Sequence, residues 1–255
     1  MPSQLTLIPL CGVKLVEPGD DLGAIAVAAF AANGLVPERD DVLVVAQKIV
    51  SKAESRYVDV TEVEPSERAI ALAAKVGKDP RFVEVVLSES RRVVRHRPGL
   101  LIVEHRLGFV MANAGIDHSN LPAIEAGERV LLLPEDPDGS ARALRGQIGC
   151  SSGTDIGVII SDSFGRPWRK GTVGVALGAA GLPAFIDMRG HPDLFGRELL
   201  VTETGFADEI AAAAGLLMGQ AAEAVPMVLV RGLAWSAPEA PAAALIRPAE
   251  HDLFR

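Results

Sequence analysis

Cysteine is nearly absent from this sequence. Cys11 and Cys150 are the two in 255 residues, and no CxxC spacing involves them. That excludes a disulfide framework and a cysteine metal box, and predicts two reduced, buried thiols in a cytoplasmic protein. Histidine is sparse as well: His96, His105, His118, His191 and His251 show no H-x-x-x-H spacing, which argues against a zinc site. No apolar run reaches roughly 18 residues without a charge, so no membrane span is expected. The N-terminus, Met1 to Ile8, has no basic region followed by a long apolar one, so no secretory signal is evident. A basic excess is missing too. The formal net charge of −8 argues against a general nucleic-acid binder, though not against a nucleotide site, because local Lys and Arg can oppose the overall field. What is present, 49% hydrophobic and 23% charged residues, suffices for a sizeable core without disulfides or structural metal.

Several familiar site motifs are also missing. There is no Gly-x-Ser-x-Gly and no Cys/His nucleophile setting, so covalent catalysis is not indicated. No G-x-G-x-x-G follows the first strand. Gly165-Arg166-Pro167-Trp168-Arg169-Lys170-Gly171-Thr172 nearly spells a P-loop, but its final Gly and Lys are exchanged. The anion-cradling turn and the reach of the lysine would both be wrong. A nucleotide, if bound, uses neither cradle.

Periodicity and punctuation predict interleaved helices and strands, a mixed α/β (α+β) fold that is neither P-loop nor Rossmann. Strands are expected at Leu5–Ile8, Val42–Ala46, Val130–Leu133, Ile156–Ile160, Leu199–Thr202 and Met227–Val230. A short meander is expected over Val93–Val94, Leu100–Val103 and Phe109–Ala112. Helices are expected at Leu22–Ala32 with Asp20 or Asp21 as cap, at two segments between Pro65 and Arg91 broken near Gly77 and Pro80, at Ser140–Ile148 and at Phe206–Gly219. The Pro- and Ala-rich tail, Ala237 to Arg255, is expected to wrap over a neighbouring surface.

Three segments carry candidate chemistry. In the first, an apolar strand delivers Asp162 and Ser163, and Gly165 is followed by Arg166, Arg169 and Lys170. A carboxylate with a hydroxyl suits Mg²⁺ or Mn²⁺, and the cations suit phosphate oxygens; a capped turn with solvated basic residues is the plain alternative. In the second, Asn113-Ala114-Gly115-Ile116-Asp117-His118-Ser119-Asn120, an Asx-turn competes with a second metal-binding carboxylate. In the third, Gln47 to Arg56, Lys52 is a candidate phosphate contact, against a solvated amphipathic edge.

Taken in order, these segments resemble the coenzyme F420 gamma-glutamyl ligase family. The resemblance is carried by Pro18-Gly19-Asp20-Asp21-Leu22, by Gln47-Lys48-Ile49-Val50-Ser51-Lys52-Ala53-Glu54 and by Glu104-His105-Arg106-Leu107-Gly108-Phe109-Val110. It continues through Gly115-Ile116-Asp117-His118-Ser119-Asn120, Ser161-Asp162-Ser163-Phe164-Gly165-Arg166-Pro167-Trp168-Arg169 and Ala207-Asp208-Glu209-Ile210. It covers nearly all of residues 5–235 and leaves 236–255 as a tail; the flavin-binding domain that follows in some bacterial relatives is not expected. It implies a two-subdomain fold, an intertwined homodimer, and GTP as cosubstrate. It also implies two Mg²⁺ or Mn²⁺ ions, with K⁺ as a further expectation. By position, Asp117, Asp162, Ser163 and Gln220 would be metal ligands. Val13, Lys14, Leu15, Val16, Gln47, Lys52, Asn120, Met218, Gly219 and Gln220 would line the nucleotide. Ser163 stands where many relatives have Thr, and Gln47 where some have Ser.

The implied reaction joins L-glutamate to coenzyme F420-0 through an acyl phosphate, with Arg166 or Arg169 holding a phosphate or the acceptor carboxylate. A metal-dependent nucleotide phosphohydrolase needs the same carboxylates and cations; a non-catalytic nucleotide binder is a third reading, against which the two carboxylates argue.

Overall fold

The computed structural model describes residues 4–117 and 129–253. In chain order the elements are β1 (Thr6–Pro9), α1 (Leu22–Ala32), β2 (Val42–Ala46), α2 (Gln47–Ala53), β3 (Tyr57–Asp59), α3 (Glu67–Val76), α4 (Pro80–Ser88), β4 (Ser90–Arg97), β5 (Leu100–His105) and β6 (Val110–Ala112). They continue with β7 (Arg129–Leu131), α5 (Pro137–Ser152), β8 (Gly157–Gly165), β9 (Thr172–Ala180), β10 (Ile186–Asp187), β11 (Glu203–Thr204), α6 (Phe206–Met218) and β12 (Met227–Arg231). Helices and strands alternate irregularly, as a mixed α/β fold should.

Local chemistry explains the helix limits. Asp21 accepts the Ala24 N–H and caps α1, while Asp20 instead binds Lys14 and the Glu17 N–H. Ser66, Asp79 and Asp136 cap α3, α4 and α5, and Pro80 and Pro137 open the latter two, where a missing N–H costs nothing. Gly77 and Gly153 end α3 and α5 in left-handed conformation. The cap at Asp136 also shows why α5 runs longer than the predicted Ser140–Ile148: Pro137 starts the helix instead of marking a turn.

The main sheet has the order β1-β12-β2-β8-β9, with β2 and β8 parallel and the other neighbours antiparallel. Alternation sorts its side chains between two faces. Leu43, Val45, Val158, Ile160 and Leu229 pack under α1 and α5, with Ala26, Phe30, Leu144 and Ile148. Val42, Val44, Ile159, Val228 and Val230 pack against α6 through Ala207, Ile210, Ala211 and Ala214. A separate core joins α3 and α4 to the β4-β5-β6 meander and the β3-β7 pair through Val83, Val86, Leu101, Val103 and Val130. Phe109, Met111, Leu133, Leu177 and Phe164 form a small bridge between the two cores, with Phe109 and Phe164 edge to face at 6.3 Å.

The strand β9 was not expected, because Gly174 and Gly178 weaken its pattern. Both glycines are there for space. A Cβ on Gly174 would lie 2.5 Å from the Ala211 carbonyl oxygen, and one on Gly178 would lie 2.2 Å from that of Pro137. Strand β9 therefore carries both helical layers at backbone contact. The predicted strand Leu199–Thr202 is not one; that stretch is irregular, held by single bonds such as Leu199 N–H to His191 C=O and Met188 N–H to Thr202 C=O, and strand pairing starts at Glu203. The thiols of Cys11 and Cys150 are exposed, not buried: Cys11 sits in the turn after β1 and Cys150 on the outer side of α5. The tail does wrap, over its own chain. Asp138 accepts the N–H groups of Ala179, Ala242 and Ala243, and Glu239 meets Arg145 and the Gly181 N–H.

A buried ionic cluster ties the second core to the end of α2. Glu89 receives Arg56 at 3.1 Å and Arg106 at 3.0 Å, and buried His105 faces it at 3.4 Å. The Leu107 N–H donates to His105 Nδ1, which leaves the ring proton on Nε2, on the side of the ring that faces Glu89. Burial alone would raise the Glu89 pKa, but the hydrogen bonds from His105 and Arg106 and the charges of Arg106 and Arg56 hold it at about 2, against an ordinary 4.5.

Gly178→Ala should destabilise by about 1–3 kcal/mol in urea denaturation, because the added carbon meets fixed backbone. Gly146→Ala, on an open exposed face of α5, should stabilise by about 0.4–1 kcal/mol. Glu89 contributes stability above its unfolded pKa that is lost as pH falls through about 2. Glu89→Gln should therefore flatten the acid limb of the stability curve between pH 4.5 and 2, a loss for the parent protein of about 3 kcal/mol at most.

Candidate active site

Strand β2 ends at Ala46, opposite Ser161 of β8, and α2 begins at the next residue. Strand β8 continues past this edge with only β9 beside it, and the register with β9 slips between Ile160 and Ser161, a bulge just before Asp162. Asp162 thus lies beyond the carboxyl ends of the one parallel pair in the sheet, where open α/β sheets place ligands. The first turn of α2 stands next to it.

Asp117 arrives from the other core. Asn113, Ala114 and Gly115 take φ values of 49°, 55° and 67°, three successive left-handed residues, and the Asn113 Oδ1 is buried without a partner among the described residues. For Ala114 this conformation costs about 1–2 kcal/mol. The strained turn delivers Asp117 to a rigid seat, where its N–H and C=O both bond Leu131 at 3.0 Å. Its carboxylate then meets the Lys48 ammonium at 2.5 Å.

Lys48, Lys52, Asp117 and Asp162 form one electrostatic unit. Burial raises the Asp162 pKa to about 6; a backbone hydrogen bond from Ser163 and the charge of Lys48 oppose this, and Asp117 adds to it. Asp162 keeps part of its surface accessible, but protein packs closely around the carboxyl. Burial and the neighbouring Lys48 depress the Lys52 pKa, and Asp117 offsets them in part.

The expected metal ligands divide by strand alternation. Asp162 points to the α2 side, towards Lys48 and Asp117. Ser163 points to the α6 side, where its hydroxyl donates to Gln220 Oε1 at 2.7 Å. Met218 lies on that side too, its sulfur 3.9 Å from the Ser161 hydroxyl, and Gly219 ends α6 at φ 69°. All donors are hard oxygens suited to Mg²⁺ or Mn²⁺. Asp162, a half-buried carboxylate short of positive charge, fits a divalent cation. Among the described residues no three His, Cys, Asp or Glu side chains cluster for a metal, so Asp117 and Asp162 are the acidic donors available.

The chain matches the family model described as F420-0:Gamma-glutamyl ligase over residues 12–232. It is 47% identical to the coenzyme F420:L-glutamate ligase of Methanopyrus kandleri, over 98% of both chains. The protein of that name from Methanothermobacter thermautotrophicus is 43% identical, over 98% of this chain and 99% of its own. The one from Archaeoglobus fulgidus is 46% identical, over 90% and 88%. The chain belongs to the F420-0:gamma-glutamyl ligase family.

The nucleotide-lining residues that this family resemblance implies are only partly together. Val13 to Val16 run from half-buried through exposed Lys14 and Leu15 to buried Val16, and the loop is tied to α2 by the Gly19 N–H bond to Ala53 C=O, close to Lys52. Gln47 turns inward: it is 2% exposed and accepts the Ser51 hydroxyl at 2.9 Å. Asn120 lies outside the described residues, as does His118. Arg166 and Arg169 sit on the exposed β8-β9 hairpin, and the strand rise puts Arg166 roughly 13 Å along the chain from Asp162. Arg166 lines a groove of about 400 Å³ with Asp208 and Glu209. Two carboxylates beside one guanidinium do not favour a phosphate there. The near P-loop proves to be this hairpin, with no helix behind it.

Lys48 is the residue that motif reading passed over. The i, i+4 spacing of Lys48 and Lys52 is visible in the sequence, but it acquires meaning only once Gln47–Ala53 is known to be a helix.

Because the charged form of Asp162 is disfavoured, its carboxylate costs stability at neutral pH and costs none below its unfolded pKa near 3.8. In the presence of a chelator, Asp162→Asn should raise the melting temperature at pH 7.5, by about 1–3 kcal/mol of stability, and change it little near pH 4. Thermal unfolding at the two pH values tests this.

Proposed function

We propose that this chain is a ligase that adds L-glutamate to coenzyme F420-0 at the expense of GTP, in coenzyme F420 biosynthesis. The observation that carries the reading is the convergence of Asp117 and Asp162, from two separate cores, on Lys48 and Lys52. Two carboxylates and two ammonium groups suit the meeting of a metal-bound polyphosphate with an anionic acceptor. Family membership then selects the substrates, since the matched relatives bear the name coenzyme F420:L-glutamate ligase.

In this reading the F420-0 carboxylate attacks the γ-phosphorus of GTP, an O–P bond forms and GDP leaves. The amino group of L-glutamate then attacks the acyl carbon, forming the amide and releasing phosphate and a proton. Asp117 and Asp162 would hold one Mg²⁺ or Mn²⁺, and Ser163 with Gln220 would contribute to a second. Bound there, such ions supply charge neutralisation to the phosphates. Lys52 would bind a phosphate oxygen as a point charge, and the Val13–Val16 loop would border the nucleotide. A role for K⁺ belongs to the same proposal.

A homodimer is part of the reading. Trp168, Leu194, Phe195, Leu200 and Val201 are 79–100% exposed, apolar side chains of the kind that a second copy would cover. Two free thiols suit a reducing cytoplasm. No helix among the described residues is long and apolar enough to cross a membrane, and the net charge of −8 does not suit nucleic acid.

The test incubates the protein with F420-0, L-glutamate, GTP and Mn²⁺ and follows product mass. Gains in whole glutamyl units that require GTP and metal are expected, and Asp117→Ala or Asp162→Ala should abolish them while the fold persists by circular dichroism. Phosphate release without a gain in product mass would make the protein a hydrolase instead.

A further inference from the structure

The ion pair between Lys48 and Asp117 stands where the proposed metal would be held. Lys48 is the second residue of α2, and α2 starts where β2 ends beside β8, so backbone geometry delivers its ammonium to Asp117, near enough to Asp162 to offset part of its charge. The pair is close, 2.5 Å, and both side chains are largely covered, at 31% and 22% exposure. Lys52 lies one helical turn further along the same face. A protein that needed Lys48 only to steady Asp117 would set a cation in direct competition with its metal. A divalent ion bound to Asp117 would face a like charge within a few ångströms, at several kcal/mol by Coulomb's law in a half-buried site. The ammonium must therefore leave when the ion arrives.

We propose that Lys48 is a place-holding cation: it pairs with Asp117 and partly offsets the charge of Asp162 in the metal-free protein, is displaced by the incoming divalent ion, and joins Lys52 facing the phosphates. The inference rests on the proposed metal dependence. Its physical sense is that two carboxylates from separate cores repel each other unless a cation joins them, and a lysine on a flexible four-carbon stem can do so and then yield. Displacement sends the positive charge where negative charge has just entered with the nucleotide. Lys48 is thus a positioning residue in the metal-free protein and a phosphate contact in the loaded one.

Mn²⁺ binding to the nucleotide-free protein, followed by the paramagnetic resonance of free Mn²⁺, tests this in the full chain. Lys48→Met should bind Mn²⁺ on the order of ten-fold more tightly than the parent, because the competing cation is gone. Lys48→Arg, which keeps the charge, should stay near the parent, and the gain should disappear when Asp117→Asn is combined with Lys48→Met. With Mn²⁺ saturating, Lys48→Met should bind GTP more weakly. Equal or weaker Mn²⁺ binding by a folded Lys48→Met, with Asp162→Asn still abolishing binding, would overturn the place-holding role and leave the metal reading intact. No Mn²⁺ binding by the parent or by Lys48→Met would remove the metal reading and this inference with it.

Discussion

Strands β2 and β8 run side by side in the same direction, buried on both faces, and the position of every candidate site group follows from that pairing. A parallel pair cannot be closed by a short turn, so more than a hundred residues pass between Ala46 and Gly157. That long connection folds into a second core, and its return path brings Asp117 back beside the edge it left. Because the register stops at Ala46 opposite Ser161, the first turn of α2 and the free end of β8 emerge together. Asp162, Lys48 and Lys52 are neighbours for that reason.

Holding two carboxylates close requires that both cores be fixed relative to each other. The Phe109–Phe164 contact, with Met111, Leu133 and Leu177, does this by apolar packing, and the Glu89 cluster does it by charge. Each is placed next to the site: Phe164 lies two residues after Asp162, and Arg56 lies three residues after the end of α2. The energetic tension is local. Asp162 is kept short of compensating charge and the turn before Asp117 is left-handed over three residues, whereas the caps and helix contacts further away are ordinary.

Much of this was legible in advance where one strong local rule applied. The start of α1 and the run of β2 follow from Asp21 and a compact apolar stretch, and the meander and the two helices before it follow from alternation, Gly77 and Pro80. The strand β9 was illegible because its glycines answer to α5 and α6, which the strand's own sequence does not show. The length of α5 was missed at its start, because Pro137 and Gly139 are poor helix residues on their own and only the Asp136 cap shows that the helix begins there. The thiols were misjudged for a similar reason: which side of a helix faces water depends on what packs against the other side.

For the candidate site the division is sharp. The sequence by itself marked the candidates: Asp117, Asp162, Ser163 and Lys52 stand in motifs whose composition suits a hard cation and phosphate. Tertiary structure alone decided their grouping. It set Asp162 and Ser163 on opposite sides of one strand, because side chains alternate. It brought Lys48 onto Asp117, because α2 starts without a linker at the end of β2. And it left Arg166 and Arg169 on an outlying hairpin, because a strand carries its residues about 3.3 Å further from the sheet edge with each step.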